Sequence, residues 1–173
     1  TALDVGQGES VVLFSENEAM LVDCGSSNSY IDAGTYAVDR LSSMGFHRLK
    51  AVTLTHFHAD HANGIATVLS TMKVETLYLP DVEDEYGVRE EREEIAARHG
   101  VKVETITWET LCAIGEAMIT LYPPVGKGDM NEQGLTVLAT AEDFDILITG
   151  DMKDNTERAL IEKYPLPDVE VLL

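Results

Sequence analysis

Thr53-Leu54-Thr55-His56-Phe57-His58-Ala59-Asp60-His61 is the stretch from which the rest of this chain is read. It overlaps the end of Ala51–Leu54, whose apolar and β-branched residues have the character of a buried strand. It precedes Ile65, Val68, Leu69 and Met72, which recur at helical spacing. Three of the 5 histidines in the chain lie within it. In an extended loop, residues two apart project the same way, so His56 and His58 can address one ion. Asp60 and His61 stand where the chain turns into the helix, and their side chains diverge toward a second ion beside the first. Imidazole and carboxylate donors together suit zinc, manganese or iron. The competing readings are a histidine-rich surface turn or a few satisfied core histidines, and the clustering of His and Asp between a strand and a helix favours ligation over both. His47 and His99 lack such company and read as surface residues at element ends.

Outward from this loop, strands and helices alternate. Leu3–Val5, Val11–Phe14 and Ala19–Asp23 read as short strands, with turns at Gly6-Gln7-Gly8 and Glu16-Asn17-Glu18. Ala33–Met44 reads as a helix ended by Gly45 in a left-handed cap. Thr76–Leu79 is a strand closed by Pro80, Asp84–His99 an acidic helix capped by Gly100, and Val101–Ile106 a strand. Gly115 turns a hairpin between Leu111 and Met118–Tyr122, and Leu135–Thr140 pairs with Phe144–Ile148. Asp154–Tyr164 is a helix with Asp154 as N-cap and Glu157 as its capping-box partner, and Val169–Leu173 begins a further strand. No repeat or linker divides the chain. The plan predicts one layered α/β domain over residues 1–173, with helices flanking stacked sheets.

Composition narrows the function. With 173 residues, 45% hydrophobic and 25% charged, the chain can bury a core and is not disordered. Its 2 cysteines exclude both a disulfide scaffold and an all-cysteine zinc site. Cys112 reads as a small core residue, and Cys24 as a packing residue beside the site. No apolar run approaches the ~20 residues that span a bilayer, so no membrane insertion by this segment is expected. No Gly-x-Ser-x-Gly occurs, which argues against a serine nucleophile. The formal charge of −19 repels polyanions at long range, against the usual sign for a DNA-binding domain. Bound metal ions supply positive charge locally and weaken that objection. The acids between Asp81 and Glu94 read as a solvated helix face. The chain opens on Thr1 and is read as a segment of something larger, so localisation is not legible in it.

The His-x-His-x-Asp-His run resembles the defining mark of the metallo-β-lactamase superfamily. Leu21-Val22-Asp23-Cys24-Gly25 resembles its strand-ending aspartate and glycine, and Ile148-Thr149-Gly150-Asp151 its later strand ending in Gly-Asp. Leu3-Asp4-Val5-Gly6-Gln7-Gly8-Glu9-Ser10 is similar to the opening of the metallo-β-lactamase-like domain of ComEC-type competence proteins, as is Asn131-Glu132-Gln133-Gly134-Leu135. The resemblance covers nearly the whole chain. It implies an αββα sandwich, two stacked sheets flanked by helices, here lacking its last C-terminal elements. It implies that His56 and His58 bind metal one, that Asp60 and His61 bind metal two, and that Asp151 bridges them. Asp60 would also act on the nucleophile, and Asp23 would bond the backbone of the histidine loop from behind. The family's histidine near position 131 is replaced by Asn131, so metal one would be weak or complete its shell with water or Glu132. The family's last histidine is expected beyond Leu173.

Three functions follow from these residues. The first is a metal-dependent phosphodiesterase acting on DNA during uptake, with zinc in two sites or manganese as the alternative. DNA would then be the substrate of the parent protein, which, if of ComEC type, is tethered at the cell membrane on the extracytoplasmic side. The second is another metal hydrolase, of thioesters, lactams or lactones. The third is a non-catalytic module that keeps the fold for binding.

Overall fold

A computed structural model describes residues 1–127 and 132–173, so Asn131 lies outside the described residues. Among the described residues, ten strands form two sheets of five. The first sheet is β1 (Val11–Ser15), β2 (Glu18–Val22), β3 (Arg48–Thr53), β4 (Lys73–Pro80) and β5 (Lys102–Ile106), side by side in chain order. β1 and β2 are an antiparallel hairpin, and β2 through β5 run parallel. Parallel neighbours need crossovers. Those are α1 (Ala33–Ser43), the short α2 (Ala59–Ala62) with α3 (Ile65–Thr71), and α4 (Val88–His99). The second sheet, in the order β10-β9-β8-β7-β6, comprises β6 (Thr110–Ile114), β7 (Ala117–Tyr122), β8 (Thr136–Ala141), β9 (Phe144–Ile148) and β10 (Val171–Leu172). It is antiparallel except for the β9–β10 pair, whose crossover contains α5 (Asp154–Lys163).

Period-two alternation sorts the side chains into layers. On β2, Ala19 and Leu21 pack toward the helices with Ala37, Leu41, Val68 and Leu69. Met20 and Val22 face the opposite way and meet Ile119, Leu121, Val137 and Ile148 of the second sheet. A third cluster joins the outer face of β8 and β9, through Leu138 and Leu147, to Leu160 of α5. Each fully buried Leu, Ile or Val contributes about 1.5–3 kcal/mol relative to an exposed one. The arrangement is the expected αββα sandwich.

Local expectations are corrected at four points. Leu3–Val5 forms no strand: the segment makes one isolated bridge, Ala2 to Val11, and Val5 N–H turns back onto Leu3 O at 3.0 Å. The second strand ends at Val22, because Asp23 takes a left-handed φ of 53°. The acidic helix starts at Val88, after Gly87 at φ 72°, while Asp84 caps the preceding turn by accepting from Tyr86 N and Arg89 N. The cap of α5 is Lys153, not Asp154. Lys153 N–H donates to the buried Thr156 hydroxyl at 3.1 Å, and that hydroxyl donates to Lys153 O at 2.8 Å.

Candidate metal centre

The site forms where β2, β3 and β9 end, since Asp23, the Thr55–His61 loop and Gly150-Asp151 directly follow those strands. Parallel register sets Val22 beside Thr53, and Asp23 N–H donates to Thr53 O at 2.8 Å. The Asp23 carboxylate is therefore carried under the histidine loop, fully buried. It accepts from Thr55 N at 2.7 Å and from the Thr55 hydroxyl at 2.6 Å, and lies 2.8 Å from His61 Nδ1. Leu135 N–H donates to Thr55 O at 2.9 Å, which ties the same loop to the second sheet.

Hydrogen-bond accounting assigns the tautomers. Thr55 donates its hydroxyl hydrogen to Asp23, so toward His56 Nδ1, at 3.1 Å, it can only accept. His56 then carries its proton on Nδ1 and a lone pair on Nε2. That Nε2 is buried and has no hydrogen-bond partner among the described residues. Burial, and then the neighbouring charge of His61, pull His56 down to about 4. His61 presents Nδ1–H to Asp23 and places Nε2 3.2 Å from Asp151 Oδ1. Burial opposes a charge on His61. The hydrogen bond to Asp23 and the charges of Asp23, Asp151 and Glu9 outweigh burial and raise the imidazole to about 9.

The histidine rings are grouped, with His56 at 4.1 Å from His61 and 5.2 Å from His58 between centroids. Among the described residues, ligand atoms of Asp23, His56 and His61 all lie within 4.8 Å of one another. His58 and Asp151 border this trio. Asp60 is half-buried at the start of α2, and its backbone carbonyl accepts from Glu9 N at 3.0 Å. A cavity of about 460 Å³ is lined by Glu9, Asp60, His61 and Asp151, and a second of about 470 Å³ lies against His58 and Asp60. Glu132 Oε1 lies 3.1 Å from Lys153 Nζ. The donor set, two imidazoles and carboxylates around an unpartnered buried nitrogen, fits a divalent cation.

Glu9 is a member of this site that sequence reasoning missed. Its Oε2 is 3.5 Å from His61 Nδ1, and burial with the Asp23 charge raises it to about 7. The one available signal was its place after Gly8. Gly8 has φ 152° and runs against the backbone of Gly25 and Asp60, where a Cβ would stand 2.6 Å from Asp60 O. Gly25 is equally confined, since its Cβ would meet the Asp60 carbonyl and His61 N. Three loops thus interlock through their backbones, which explains two of the motif glycines. Cys24 is buried behind them, donates to Ala33 O at 3.3 Å, and is pushed by burial to about 12, so it is a packing thiol. Cys112 packs partly buried against the inter-sheet core.

A family model described as the metallo-beta-lactamase superfamily matches residues 3–171. Competence protein ComA of Neisseria gonorrhoeae is 28% identical over 165 residues, which are 95% of this chain and 21% of ComA. Ribonuclease Z of Clostridium perfringens is 31% identical over 74 residues, 40% of this chain and 21% of that protein. The match thus spans only 21% of the length of either relative. Among solved structures, a Cronobacter sakazakii metallo-beta-lactamase with a HARLDQ motif superposes with a TM-score of 0.65 at 14% identity, covering 99% of this chain and 76% of that one. The metallo-beta-lactamase fold protein YhfI of Bacillus subtilis gives 0.58 at 17% identity, covering 83% and 55%. At such identities the likeness is one of fold.

Proposed function

The chain belongs to the metallo-β-lactamase superfamily, and on that premise we propose that its His/Asp cluster is the divalent-metal centre of a hydrolase that cleaves phosphodiester bonds of DNA. The observation that carries the metal reading is His56 Nε2, a buried lone pair with no hydrogen-bond partner among the described residues, beside His58, His61 and Asp23. An unpaired buried nitrogen is costly, and a cation removes that cost. Support for a nucleic-acid substrate is the pair of relatives, a competence protein and a ribonuclease.

In this reading His56 and His58 would hold one ion, Asp60 and His61 the other, and Asp151 would serve both. Zinc suits the imidazole-rich side, and manganese is the alternative. A bound pair supplies Lewis-acid polarisation of a phosphoryl oxygen and acidifies a water. The chain's own residues do the rest. Asp60, lining both cavities, takes the proton of the attacking water on its carboxylate. Asp23 keeps His61 Nδ1 protonated and Nε2 directed at the centre. Among the described residues no helix is long and apolar enough to cross a membrane. Within a DNA-uptake protein the domain would stand tethered at the membrane, on its extracytoplasmic side.

The test is elemental analysis of full-length protein purified without chelator, followed by assays with a DNA oligonucleotide, a thioester and a lactam. One to two equivalents of metal and metal-dependent DNA cleavage are expected, with Asp60→Asn folded but at least ~100-fold slower. Hydrolysis of the thioester or lactam without the oligonucleotide would refute the nuclease reading. Absence of metal would leave the non-catalytic module.

A further inference from the structure

Beside the metal centre lies the cavity of about 470 Å³ that shares His58 and Asp60 with it. Its remaining walls have a different character. Phe57 is fully buried, Val88 is half-buried, and Tyr86 is an aromatic left 65% exposed on a short loop. The loop is not slack at that point, because Asp84 Oδ1 accepts from Tyr86 N at 3.0 Å. The Tyr86 ring stands edge-on to His58, with centroids 5.8 Å apart. Arg89 covers Phe57, its guanidinium 5.0 Å from the ring centroid.

The fourth wall is Arg92, only 5% exposed although it belongs to an acidic helix read as solvated. Its Nη2 donates to Ala62 O at 3.2 Å, and its Nη1 is 2.7 Å from Glu91 Oε2 in an ion pair not aligned as a hydrogen bond. Its Nε–H is shut off from solvent behind the cavity wall and has no partner among the described residues. The open wall is the exposed Tyr86 ring beside apolar side chains, and it asks for a ligand that is planar and largely apolar on its faces. A phosphate fits poorly, since the Arg92 charge is already offset by Glu91.

We propose that this cavity is a nucleobase subsite: an unpaired base flanking the phosphodiester under attack inserts beside the exposed Tyr86 ring. The proposal rests on the phosphodiesterase reading and extends it to substrate class, because a base can enter only from a single strand or a frayed end. Cavities of about 300–1,000 Å³ with few placed polar groups are the usual form of such sites. Aromatic stacking of bases is tolerant of sequence, so the cleavage would be strand-selective and not sequence-specific.

The test separates base binding from chemistry. In the full-length protein, 2-aminopurine deoxyriboside serves as a fluorescent probe whose emission is quenched on stacking. Saturable quenching is expected, weakened about tenfold by Tyr86→Ala and retained in Tyr86→Phe. A single-stranded oligonucleotide with one abasic position should be cut about tenfold less efficiently at the bond flanking that position, mainly through KM, and Tyr86→Ala should erase the difference. Cleavage that ignores the abasic position, together with no quenching, would overturn the subsite and leave the nuclease reading standing. Quenching that depends on Tyr86 in a protein that cuts no phosphodiester would support the base site and sink the nuclease reading.

Discussion

A single carboxylate organises the candidate centre. Asp23 takes three donors at once, two from Thr55 and one from His61, and so sets the loop's shape and the orientation of one imidazole. Asp23→Asn keeps the size and one acceptor but puts an amide donor against His61 Nδ1–H or the Thr55 hydroxyl. We expect metal affinity to fall about 10–100-fold by isothermal titration, with the far-UV spectrum unchanged. An unaltered affinity would show that Asp23 does not orient a ligand. The same residues set a pH dependence. With burial overcome by Asp23, Asp151 and Glu9, His61 holds its proton up to about 9, and a ligand must lose it. Apparent zinc affinity should therefore rise about tenfold per pH unit between roughly 7 and 9, then level off. His56, already neutral above about 4, adds nothing to that slope. A flat profile over the range would rule out His61 Nε2 as a ligand.

At the scale of elements, the strands deliver their C-terminal ends to one edge, and the loops there are packed backbone to backbone. Glu9 N donates to Asp60 O, Gly25 N to Glu9 O, and Cys24 N to His61 O. A side chain at Gly25 would enter the space of the Asp60 carbonyl and His61 N, which no rotamer change relieves. Gly25→Ala should cost about 1–3 kcal/mol in denaturant unfolding, as overpacking generally does, and should also lower metal occupancy because the histidine loop must move. Full stability with full metal content would show that the three loops slide independently.

At the scale of the whole chain, the charge of −19 stands against the polyanionic substrate of the proposed function. Basic DNA-binding proteins lose affinity as salt rises. Here the long-range term has the other sign, and screening should help. At fixed metal concentration, kcat/KM for an oligonucleotide is expected to rise severalfold as sodium chloride goes from about 10 to 100 mM, where the Debye length shrinks from about 30 to 10 Å. A steep fall over that range would mean that basic groups elsewhere in the protein dominate the encounter.

The sequence by itself determined the layering and pointed to the loop that carries the candidate metal centre. Strand and helix periods are local, so alternating segments such as Val11–Phe14 and Ala33–Met44 announce an α/β sandwich, and His56, His58, Asp60 and His61 are neighbours along the chain. Boundaries were less legible, as at Asp23 and Lys153, because a left-handed φ and a reaching hydroxyl depend on what surrounds them. Tertiary structure alone decided the rest. Asp23 meets His61 across 38 positions through parallel strand register, Glu9 reaches the same imidazole, and Arg92 is buried against Ala62 30 positions away in a helix whose composition reads as solvated. Tautomers, pKa shifts and the neighbouring cavity arise from such long-range contacts, and no spacing in the chain encodes them.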